Sequence, residues 1–166
     1  IMRTFLTVFI CTVLFAVSQA SAHEMKNNGL MVKDSWARAT AGPAKAGAAY
    51  LTIANMGHET DRLVAVKSDL AKRTEIHTHL MKDGMIKMRH VEAVEVSPGT
   101  PTIFQPGGLH IMFMGLNKPF VEGETLPLTL VFEKTGEIDI EFVVQGVSAK
   151  SKNKDGHGAH KHKHRS

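Results

Sequence analysis

Cysteine is nearly missing from this chain: among 166 residues there is only Cys11, inside an apolar run close to the N-terminus. If that run is removed as a leader, what remains has no disulfide, no thiolate nucleophile and no thiolate metal ligand. A blue-copper electron carrier needs a Cys ligand, so that class is excluded as well. Aromatic residues are also few, at 6%. There is no paired nucleophile and base, no glycine-rich phosphate loop and no sign of a buried carboxylate pair in the sequence, so an enzyme is not expected. What the chain has in quantity is methionine and histidine, nine and ten residues. A cysteine-free protein in an oxidising compartment binds a soft metal through thioether sulfur assisted by imidazole.

Residues 1–22 read as a cleaved secretory signal peptide. Arg3 precedes the apolar run Phe5 to Val17, and Ser18-Gln19-Ala20-Ser21-Ala22 supplies small side chains for a signal peptidase. The run is too short to span a bilayer comfortably. Cys11 follows Val8-Phe9-Ile10, which is not a lipobox, so no lipid anchor and no membrane insertion of the mature chain are expected. Cleavage after Ala22 leaves His23 first and keeps eight Met and all ten His; cleavage after Ala20 fits nearly as well. The expected location is the periplasm.

Residues 23–148 have the length of a single domain with one core. They carry 13 Lys and Arg against 15 Asp and Glu, whereas residues 149–166 carry six basic residues against one acidic. The basic pI therefore belongs to the leader and tail, and an exported, mildly acidic body argues against nucleic-acid binding.

Period-two alternation dominates the body, with turn residues between the alternating segments. Strands are expected at Leu30 to Trp36, Ala48 to Asn55, Arg62 to Lys67, Thr74 to Leu80, Met85 to Val91, Thr102 to Phe104, Leu109 to Met114, Pro127 to Glu133 and Ile138 to Val144. One weak helical turn is expected at Ser68 to Lys72. Asp83-Gly84, Pro98-Gly99, Pro106-Gly107-Gly108 and Thr135-Gly136 supply turn chemistry. The pattern predicts an all-β antiparallel sandwich or barrel.

Alternation also sorts the chemistry. Leu109, Ile111 and Phe113 fall on one face, the expected core side, with His110, Met112 and Met114 on the other. Ile76 and Leu80 fall on the core side, with His77 and His79 opposite; Met88 and His90 share a face. Three strands can turn imidazole and thioether toward one spot. Such donors are neutral and soft, which suits Cu(I) better than zinc, calcium or magnesium. Taken one at a time, His79, His90, Met81, Met85 and Met114 are more simply read as surface or gap-filling residues.

The spacing His77-x10-Met88-x21-His110-x-Met112 resembles the signature of the periplasmic copper chaperone family PCuAC. The likeness extends through Trp36-Ala37-Arg38-Ala39-Thr40, Gly47-Ala48-Ala49-Tyr50, Asp61-Arg62-Leu63, Glu75-Ile76-His77, Gly84 to Arg89 and Pro106-Gly107-Gly108-x-His110, within residues 29 to 144. The resemblance implies a cupredoxin-like, immunoglobulin-like sandwich. It also implies surface-exposed Cu(I) held by His77, Met88, His110 and Met112, and delivery to the CuA subunit of cytochrome c oxidase with a Sco-type protein as collaborator. The Pro106-Gly107-Gly108 turn is expected to aim His110. Trp36 and Arg38 are expected to support the fold, without a metal role.

The tail, residues 149–166, has no apolar periodicity and reads as disordered. Its His157, His160, His162 and His164 form a sulfur-free imidazole cluster suited to Cu(II). His23, as a new N-terminus, offers an amine and an imidazole for one Cu(II). The alternative function is a periplasmic copper or mixed-metal buffer without a dedicated recipient.

Overall fold

The structure is a computed structural model that describes residues 25–27 and 29–150. The expected signal peptide, His23 and the tail histidines His157, His160, His162 and His164 lie outside the described residues. No helix occurs among the described residues, and none is therefore long and apolar enough to cross a membrane.

Among the described residues eleven strands follow one another: β1 (Met25–Asn27), β2 (Leu30–Arg38), β3 (Ala46–Asn55), β4 (Asp61–Lys67), β5 (Ala71–Lys82), β6 (Met85–His90), β7 (Val94–Val96), β8 (Thr102–Phe104), β9 (His110–Leu116), β10 (Thr125–Phe132) and β11 (Gly136–Gln145). They hydrogen-bond in the order β6-β5-β9-β3-β2-β11-β10-β4-β7, with β1 added to β2 and β8 added to β3. The sheet folds over on itself. Phe113 of β9 and Phe142 of β11 are separated by two strands in that order, yet their rings lie 5.7 Å apart across the core, and Phe120 lies 5.2 Å from Phe113.

Alternation decides which side chains fill that core. On β10 it buries Leu126, Leu128, Leu130 and Phe132, and on β11 Ile138, Ile140, Phe142 and Val144. Each fully buried side chain of this size contributes about 1.5–3 kcal/mol relative to exposure. Gly47 of β3 leaves the space Phe120 occupies, since a Cβ there would meet the ring at 2.9 Å. On β2, Trp36 packs on its cross-strand partner Tyr50 at 4.6 Å. Arg38 donates to the Ala149 carbonyl at 2.9 Å.

Four expectations are corrected. The strands are not all antiparallel: β11 runs parallel to β2 through Val143 to Gln145, because the last strand returns beside one of the first after a long crossover. Ser68 to Lys72 is no helical turn; the Ser68 hydroxyl accepts from the Leu70 amide at 3.2 Å, a local bond just before β5 begins at Ala71. β1 and β7 are additional strands of three residues each. Finally, Leu80 is 42% exposed instead of being in the core. From Leu80 onward the β5–β6 hairpin outruns the body, so Leu80, Met81 and Lys82 are exposed, as is every residue of β6.

Candidate metal centre

Cross-strand register arranges the donors in rungs. Asp83 and Gly84 both have positive φ, 53° and 74°, as a two-residue hairpin of mirror-image type requires. This turn pairs Lys82 with Met85, and therefore His79 with Met88 and His77 with His90. On the other side of β5, His77 pairs with His110, Glu75 with Met112 and Arg73 with Met114. One rung is thus His90–His77–His110, across β6, β5 and β9. The next, toward the hairpin tip, is Met88–His79; the next in the opposite direction is Glu75–Met112. All these residues share one face, since directly paired residues point to the same side.

The two imidazoles of the expected quartet are held differently. His110 is 3% exposed, and its Nδ1 lies 3.0 Å from the Gly108 carbonyl. A carbonyl only accepts, so Nδ1 carries the proton and Nε2 keeps the free lone pair. The acceptor is set by a tight turn: Gly108 donates to the Gln105 carbonyl at 3.0 Å, with Gly107 at φ 85°. Pro106-Gly107-Gly108 does aim His110. Burial lowers the pKa of His110, helped by nearby His79 and His77 and opposed by the Gly108 bond, which keeps the ring neutral and able to ligate.

His77 is half-turned toward its own strand. Its Nε2 lies 3.0 Å from Glu75 Oε2. This bond lowers the Glu75 pKa, against the cost of partial burial and with the help of Arg73 and His90. If the carboxylate accepts from Nε2–H, the free lone pair of a neutral His77 is on Nδ1. That atom is buried and has no partner among the described residues. A buried imidazole nitrogen without a hydrogen bond costs free energy unless something binds it. The His77 and His110 ring centroids are 6.0 Å apart, and with metal–imidazole bonds of about 2.0 Å one ion can take a nitrogen from each.

Among the described residues, no three His, Cys, Asp or Glu side chains form a group able to hold a metal. The other soft donors on this face are thioethers. Met88 and Met112 sit diagonally on either side of His77, one rung up and one rung down, within reach of long side chains. Met88 is 49% exposed, whereas Met112 is half-buried. The expected surface site is thus mixed: two sheltered imidazoles and one open thioether. Met114 is engaged elsewhere, its sulfur accepting from Arg73 Nη2 at 3.5 Å.

The sequence set aside His79 and His90, and the structure brings both to the site. His79 stacks on His110 at 5.0 Å and 26°, and its Nδ1 is also buried without a partner among the described residues. His90 meets His77 edge-on at 5.9 Å. The signal for both was present: counting back from a two-residue Asp83-Gly84 turn gives these pairings.

A folded-over β-sandwich that presents imidazole and thioether from three neighbouring strands defines the class, a cysteine-free domain with a soft-donor cluster on one sheet face. The chain belongs to the LpqE-like family, whose model matches residues 30–144. It is 31% identical to the apo PCuAC domain from PmoF1, over 75% of this chain and 99% of that one, with a TM-score of 0.64. It therefore shares the PCuAC domain and its cupredoxin-like fold. The copper-bound PCuAC domain from PmoF2 is 26% identical over 75% of this chain and 98% of its own, also with a TM-score of 0.64. Among curated proteins, "Putative lipoprotein Lxx21020" of Leifsonia xyli subsp. xyli (strain CTCB07) is 28% identical over 130 residues, 78% of this chain and 77% of its own.

Proposed function

We propose that this protein is an exported copper carrier that holds Cu(I) through His77 Nδ1, His110 Nε2 and the sulfurs of Met88 and Met112. The observation that carries the reading is the pair of imidazoles on neighbouring strands. His110 is kept neutral by burial, with its tautomer fixed by the Gly108 carbonyl, and His77 has a buried nitrogen without a partner among the described residues. Two thioethers flank them on the same face. The donor set is neutral and soft and needs no deprotonation of a thiol, which favours Cu(I) over harder divalent ions. The copper-bound PCuAC domain of PmoF2, with the same fold, supports copper as the cargo.

The exposed sulfur of Met88 suits a carrier that gives its ion away, since an incoming ligand can approach the metal from that side before the imidazoles let go. The recipient we propose is the CuA subunit of cytochrome c oxidase, with a Sco-type protein as collaborator and the periplasm as the place of transfer. The body is residues 23–148, made after removal of residues 1–22; the tail from 149 to 166 binds Cu(II) through His157, His160, His162 and His164, and His23 adds a further Cu(II) ligand when cleavage follows Ala22. The lipoprotein description of the Leifsonia relative agrees with export, although Val8-Phe9-Ile10-Cys11 is not a lipid-attachment sequence in this chain.

Competition against a Cu(I) chelator tests the reading, using the full chain, its Met88→Ala/Met112→Ala variant and a chain ending at Ser148. The double variant is expected to lose Cu(I) affinity and the shortened chain to keep it. Loss of all copper binding on shortening would make the protein a tail-based buffer instead. Mixing the Cu(I)-loaded full chain with an apo CuA domain then separates a carrier, whose metal moves, from a buffer, whose metal stays.

A further inference from the structure

The β5–β6 hairpin carries soft donors that the four-ligand reading leaves unused. Met81 lies on the same face of β5 as His77 and His79 and pairs with Ile86, one rung beyond His79–Met88. It is 71% exposed. His79 offers a buried Nδ1 with no partner among the described residues. Met88 stands directly opposite His79 and diagonal to both His77 and Met81, so by register it serves the inner imidazoles and the tip equally.

We infer that Met81, His79 and Met88 form a second, outer Cu(I) station at the hairpin tip, from which the ion passes to and from His77 and His110 with Met88 as the shared ligand. This rests on the reading of copper as the cargo. One imidazole and two thioethers again make a neutral, soft set. Transfer outward gives up His77, His110 and Met112 and takes on His79 and Met81, all neutral donors, with no electron or proton moved. The hairpin also explains why an ion would pause there: it projects beyond the core, where an acceptor can approach from either side of β6. Met85 provides a built-in contrast. It is on the same hairpin and 57% exposed, but it pairs with Lys82 and faces the opposite way.

The test is a titration of the full chain, carrying 13C-methyl methionine, with Ag(I) as a redox-inert stand-in for Cu(I). The first equivalent is expected to shift the methyls of Met88 and Met112. Further Ag(I) is expected to shift Met81 while Met85 stays in place. His79→Ala should abolish the Met81 shift yet leave that of Met112, and Met81→Leu should weaken the later event at least about tenfold, equivalent to 1.4 kcal/mol. A Met81 resonance that behaves like Met85 throughout, or a Met81 shift unchanged in His79→Ala, overturns the outer station. If Met81 and Met88 respond while Met112 never does, the four-ligand reading fails and the outer station stands alone. If none responds, both fall.

Discussion

Asp61 is a buried charge whose removal has a computable consequence. It is 4% exposed at the start of β4. Its Oδ1 accepts from the amides of Arg62 at 2.7 Å and Lys134 at 2.9 Å, and its Oδ2 from the amide of Thr135 at 3.0 Å. The carboxylate thus ties the β10–β11 turn to β4. Burial by itself would raise its pKa, but the bonds from Lys134, Thr135 and Arg62 more than offset this, and the net shift is below the ordinary 3.8. Asp61→Asn keeps the shape but turns an amide donor toward Thr135 N–H or toward the other two amides. At least one buried N–H is left without an acceptor, which costs about 1–3 kcal/mol. Because the folded-state pKa is depressed, the carboxylate's contribution is complete above the unfolded value of 3.8 and is lost as pH falls through the lower folded value. Urea unfolding followed by the fluorescence of Trp36 should therefore show the variant less stable by about 1–3 kcal/mol at pH 7, with the gap narrowing below about pH 4. A loss under about 0.5 kcal/mol at pH 7, the ordinary range of a surface change, or a gap independent of pH, would refute the reasoning.

Other positions give equally definite expectations. Phe113→Ala, at a side chain with 0% exposure between Phe120 and Phe142, should cost about 3–5 kcal/mol in the same unfolding assay. Gly47→Ala pushes a methyl to 2.9 Å from the Phe120 ring and should cost about 1–3 kcal/mol, measured by thermal unfolding. Gly107→Val forces a β-branched residue into φ 85° and should disturb the turn that presents the Gly108 carbonyl to His110. Loss of such an orienting bond lowers metal affinity about 10–100-fold, readable by Cu(I) chelator competition with the fold checked by circular dichroism.

Much of the fold was legible because half-buried strands write their faces into the sequence. Leu126 to Phe132 and Ile138 to Val144 alternate cleanly and are buried as the pattern requires. Alternation fails where it says which face a residue occupies but not whether any protein lies behind that face. Leu80 shows this on the overhanging hairpin, at 42% exposure. β7 was hidden because Val94-Glu95-Val96 is too short to show a period. The parallel β2·β11 pairing is a matter of chain return across the whole molecule, which no local window contains.

The site was legible in a different way. Strand alternation placed His77 and His79 together, as well as His110 and Met112, but could not say which residues meet across strands. Register supplies that, and on β5–β6 the Asp83-Gly84 turn fixed it in advance. What no sequence feature foretold is the difference between the two imidazoles. His77 is drawn to Glu75 and His110 to a backbone carbonyl, and both bonds depend on side-chain geometry within the folded sheet.

X-ray absorption at the copper edge of the full chain loaded with one equivalent of Cu(I), beside its Met88→Ala/Met112→Ala variant, tests the central claim most directly. The account predicts two sulfur and two nitrogen neighbours in the parent and loss of the sulfur shell in the variant. A parent spectrum of nitrogen and oxygen alone, or a sulfur shell that survives in the variant unchanged, would contradict it.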